Sequence, residues 1–76
     1  MHGFTITDKG LATFYKASDF AADLPGEQMD ILSFLSESST LGLGPITAEQ
    51  IGYALKYPDV GFSLEELKVK GLVKES

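Results

Sequence analysis

Proline and glycine cut this chain into short pieces, and that punctuation constrains the fold more than any other feature. Pro25-Gly26 ends whatever precedes it, and Gly42-Leu-Gly-Pro45 breaks the middle of the chain. Pro58 pushes Tyr57 out of the helical region, and Gly71 suits a left-handed position after a helix. No apolar run approaches the roughly 20 residues of a membrane-spanning helix. With 76 residues, the chain is read as a single domain over positions 1–76. Its expected stability is about 4–11 kcal/mol at ~0.05–0.15 kcal/mol per residue.

Between the breakers, apolar spacing sets the elements. Phe4 and Ile6 alternate with Thr5, which predicts a strand over 3–6. Thr7 precedes Asp8 as an N-cap, and Leu11, Phe14 and Tyr15 form one helical stripe. Gly10 weakens that helix by up to ~1 kcal/mol relative to Ala. Residues 17–24 extend it by a turn or two on this reading. A second helix is expected over 27–37, with Ile31, Leu32 and Leu35 as its main stripe and Met29 and Phe34 widening it. A helix apolar over so much of its circumference is the central one of a small bundle. Ser36 to Pro45 reads as a loop.

Thr47-Ala-Glu-Gln50 opens a third helix with a capping box, and Ile51, Ala54 and Leu55 are its inward stripe. Ser63-Leu-Glu-Glu66 reads as a second capping box, with Leu64 and Leu67 inward. Leu72 to Glu75 runs extended. The order strand, four helices, strand makes the fold class mainly α with a small β component. The expected core is Phe14, Leu32, Leu35, Ile51, Leu55, Leu64, Leu67 and Leu72.

The run Ile46-Thr-Ala-Glu-Gln-Ile-Gly-Tyr-Ala-Leu resembles the first helix of a helix-turn-helix. Leu64, Leu67, Gly71, Leu72 and Val73 match the Leu-x-x-Leu-x-x-x-Gly-Leu-Val passage from recognition helix to wing in the winged-helix family. The resemblance covers roughly residues 27–75. Family members continue into a second wing strand, whereas this sequence ends at Ser76. Phe4 to Leu11, at the other end, looks like that second wing strand and the helix start after it. The expectation is a winged-helix-like domain of three to four helices, permuted so that a short two-stranded sheet joins strand 3–6 to strand 72–75. Pairing of strand 3–6 with another chain is the alternative. Lys56 to Phe62, with Pro58 and Gly61, departs from the family's tight turn.

The resemblance implies DNA binding, and the composition argues against it. Six lysines, no arginine and eleven acids give a net charge of −5. Residues 1–55 hold two lysines against seven acids; residues 56–76 hold four lysines against four acids. The candidate nucleic-acid contacts are therefore Lys56, Lys68, Lys70 and Lys74. Base reading favours Arg, Asn or Gln; Arg and Asn are absent, and Gln occurs only at 28 and 50. Asp19, Phe20, Asp23 and Leu24 are the candidate protein-partner contacts, apolar residues rimmed by acids.

The chain has no cysteine, and its one histidine is His2. Glu65 and Glu66 are adjacent, so on a helix they point about 100° apart and form no acid–base pair. The sequence therefore predicts no catalytic residue, no metal site and no cofactor. The expected function is protein–protein interaction as a regulatory accessory, with a DNA-binding transcriptional regulator as the alternative. A homodimer, about twice 8.2 kDa, is a third expectation. The Met-His-Gly-Phe-Thr start lacks a basic segment followed by an apolar one, so no signal peptide is predicted and a cytoplasmic location is expected.

Overall fold

The computed structural model describes residues 3–15 and 25–76. Among them the chain runs β1 (Phe4–Ile6), α1 (Asp8–Tyr15), α2 (Gly26–Thr40), α3 (Ala48–Leu55), α4 (Gly61–Val69) and β2 (Val73–Glu75). The fold is mainly α with a small β component. The reading of 17–24 as a helix extension lies outside the described residues.

The two strands pair within the chain. β1 and β2 are antiparallel, with Phe4 opposite Glu75, Thr5 opposite Lys74 and Ile6 opposite Val73. The pleat explains the pairing: Phe4, Ile6 and Val73 are all buried, on the core side of the sheet. The Ser76 amide donates to the Gly3 carbonyl at 2.9 Å, so the ladder continues past β2. On its other side, β1 exchanges two backbone hydrogen bonds with Ile46, at 2.8 and 3.0 Å. β1 thus lies between Ile46 and β2.

Thr7 joins this sheet to the helices. Its hydroxyl donates to the Gly71 carbonyl at 2.6 Å and accepts from the Gly10 amide at 3.0 Å. The first bond holds the end of α4, and the second caps the start of α1. Gly71 has a φ of 78°, the left-handed conformation expected of a residue just past a helix. Gly10 has a role that helix propensity alone does not reveal. A Cβ there would sit 2.1 Å from the Leu72 carbonyl oxygen and 2.7 Å from Ile6 Cγ1. The glycine lets α1 pack directly onto the sheet.

α2 is the central helix, packed against β1, α1, α3 and α4. Its Ile31, Leu32 and Leu35 meet Ile51, Val60, Leu64, Leu67, Leu72 and the strand residues in one buried cluster. Of the expected core, Leu32, Leu35, Ile51, Leu64, Leu67 and Leu72 are buried, while Phe14 and Leu55 pack against the cluster half-buried. Val60 is an addition, at 3 % exposure in the turn before α4.

Three local expectations are corrected. α2 continues to Thr40, through residues read as loop, because Ser36 and Ser38 are buried against the core and the Thr40 hydroxyl donates to the Ser36 carbonyl. Ala54 faces outward rather than joining the α3 stripe. α4 begins at Gly61, so Ser63 is inside the helix and caps nothing. The Gly61 amide instead donates to Asp59 Oδ1 at 2.9 Å. The Thr47–Gln50 capping box forms as expected, with both hydrogen bonds at 3.1 Å.

Candidate functional site

α3, its following turn and α4 pack on α2 through the buried cluster, and polar contacts add to that packing. Lys56 ends α3 with a φ of 62°, which turns the chain sharply. The Tyr57 amide then donates to the Gly52 carbonyl at 3.0 Å. Three side-chain links reach α2: the Tyr57 hydroxyl donates to Asp30, the Ser63 hydroxyl to Glu27, and the Lys70 ammonium to Gln28 Oε1. The Tyr57 phenol is held above its ordinary pKa, first by the hydrogen bond to Asp30, then by desolvation and the charges of Asp30 and Glu27. Gln28 is buried, so its bond to Lys70 satisfies a polar group inside the packing.

The candidate lysines occupy separate places. Lys56 is exposed at the end of α3, and Lys74 is exposed at the centre of β2. Lys68 is engaged by Glu65 at 2.9 Å and Glu75 at 3.0 Å, tying α4 to β2. Hydrogen bonds to Glu65 and then Glu75 raise its pKa, outweighing the opposing desolvation. Lys70 leaves the helix about 200° around from Lys68 and bonds to α2. Lys68 and Lys70 therefore serve different internal contacts and do not converge on one track. Asp19, Phe20, Asp23 and Leu24 lie outside the described residues.

The outward face of α4 carries two exposed apolar residues among its charges, and the sequence did not single them out. Phe62 is 76 % exposed and Val69 86 %. Seven positions apart, they fall within about 20° of each other on a helix. Glu65 and Glu66 flank the line between them, Glu65 exposed and Glu66 half-exposed. The signal in the sequence is the spacing of Phe62, Glu65 and Val69, off the Leu64/Leu67 stripe. On α3, Tyr53 is 89 % exposed beside Glu49, one turn earlier. Between α3 and the turn that leads into α4 runs an open groove of about 350 Å³, lined among others by Glu49, Tyr53, Tyr57, Pro58, Asp59 and Gly61.

Among the described residues, no group of three or more His, Cys, Asp or Glu side chains is placed to hold a metal, and no helix is long and apolar enough to cross a membrane. No family model, no curated protein and no solved structure matches this chain.

Proposed function

We propose that this protein is a non-enzymatic, winged-helix-like accessory module that binds a protein partner through the outward face of α4. The winged-helix reading is supported by the path of the chain. α3 and α4 follow one another, β2 leaves α4 through Gly71, and β2 pairs antiparallel with β1, which leads into α1. This is the sequence of helix pair, wing and following helix that the resemblance implies, with the wing strands supplied by opposite ends of the chain.

The observation that carries the binding mode is the composition of α4's exposed face. A recognition helix for DNA faces phosphates and base edges and needs positive or amide side chains there. Here the corresponding face carries Phe62 and Val69 with Glu65 and Glu66 beside them. Exposed aromatic and aliphatic residues on a rigid helix suit a protein surface, where they bury area and exclude water.

Panning a random peptide library on the immobilised protein tests this reading. Peptides should be recovered whose binding is lost in Phe62→Ser/Val69→Ser at unchanged melting temperature. Peptides indifferent to both substitutions would refute it. A DNA-binding regulator is the second reading, favoured by the succession of helix pair and wing. It requires random duplex DNA to bind at low salt and to weaken when Lys56, Lys68, Lys70 and Lys74 become Ala.

A further inference from the structure

We infer that the groove between α3 and the turn before α4 receives a cationic side chain, arginine or lysine, from a helical segment whose apolar side rests on Phe62 and Val69. This rests on the protein-binding reading and names the chemistry of the partner. Glu49 and Asp59 line the groove, and no lysine does so among the described residues. Asp59 commits one carboxylate oxygen, Oδ1, to the Gly61 amide. The Tyr53 ring is almost fully exposed beside Glu49, so it offers an aromatic face to a cation that the carboxylates attract. The Tyr57 hydroxyl donates a hydrogen bond to Asp30, which fixes its ring as part of the groove wall. Gly61, the residue before Phe62, lines the groove, so the recess is next along the chain to the exposed residues of α4.

Charge selects among the occupants. A second copy of the chain meeting this face symmetrically would bring Glu66 towards its own equivalent, a like-charge contact, and its Lys68 and Lys70 are already committed within the chain to Glu65, Glu75 and Gln28. An acidic segment meets the same repulsion. A basic amphipathic helix meets complementary groups in both places: its cations face Glu49 and Asp59 while its apolar residues cover Phe62 and Val69.

The probe is a fluorescein-labelled peptide of leucine and arginine at helical spacing, paired with one in which citrulline replaces every arginine at nearly the same shape. Fluorescence anisotropy on the full chain should give an arginine-peptide Kd at least about tenfold below that of the citrulline peptide. Glu49→Gln/Asp59→Asn and Tyr53→Ala should each weaken the arginine peptide by about tenfold. Asp8→Asn/Glu37→Gln removes two exposed charges that do not line the groove and should change it less than about twofold. Equal weakening by both double variants would mean diffuse charge attraction and overturn the inference. If Phe62→Ser/Val69→Ser weakens both peptides while the groove variants change nothing, the α4 face stands and the groove assignment falls. If only the groove variants act, the groove stands and the α4 reading falls. No binding by either peptide overturns the groove assignment.

Discussion

Both faces of α4 carry large apolar residues, yet only one face is filled. Leu64 and Leu67 are 1 % and 0 % exposed, whereas Phe62 and Val69 on the same helix stand in solvent. Burial therefore separates a structural role from an interaction surface where hydrophobicity does not. Leucine on the inner face secures the helix to α2. The outer pair stands outside that packing, with Glu65, Glu66 and Lys70 around Val69.

The comparison can be broken most directly at the inner face. Leu35→Ala, which opens a hole in the buried cluster that also holds Leu64 and Leu67, should cost about 2–5 kcal/mol, a large part of the expected stability. Urea unfolding that matches wild type would show that this cluster is not the core. Gly10→Ala should cost about 1–3 kcal/mol, although alanine is the better helix former, because its methyl group would collide with the Leu72 carbonyl. A gain in stability would mean α1 does not pack on the sheet as described.

The two capping sequences make a smaller and sharper pair. Thr47→Ala should cost about 1 kcal/mol and speed hydrogen exchange at the Gln50 amide. Ser63→Ala should leave the Glu66 amide protected, because α4 already begins at Gly61. Faster exchange at Glu66 in that variant would restore Ser63 as the cap.

The smallest effect is at alkaline pH. Tyr57 and Lys68 both hold their protons more tightly when the chain is folded. Stability from a raised pKa is fully present below the unfolded value, about 10 for both residue types. It is lost as pH rises through the folded value. The urea midpoint should therefore fall less steeply above about pH 10 in Tyr57→Phe/Lys68→Met than in wild type. Parallel slopes would remove both groups from the account.

Much of the fold was legible because local chemistry and packing agree. Thr47 and Gln50 satisfy each other across one turn, Gly71 takes the left-handed conformation, and the alternation at Phe4 and Ile6 matches a one-sided strand. Ser63 misled because a serine three residues before a glutamate occurs inside helices as well as at their starts. The choice was made by Val60 entering the core and by Asp59 accepting from the Gly61 amide at the start of the helix. The last turn of α2 was hidden because serine and threonine are indifferent helix formers, and tertiary burial of Ser36 and Ser38 decided the matter. The lysines were visible as charges, but their carboxylate and amide partners come from other turns and other elements, beyond the reach of spacing. Phe62 was overlooked because a helix opening at Ser63 leaves Phe62 in the preceding turn and hides its register with Val69.

Amide shift mapping puts the central claim to its most direct test. The 15N-labelled chain would be titrated in parallel with a peptide recovered by panning and with random duplex DNA at low salt. The account predicts that the peptide moves the amides of Phe62, Glu65, Glu66 and Val69 in saturable fashion while the duplex leaves them in place. Saturable shifts on α4 with the duplex, and none with the peptide, would contradict it.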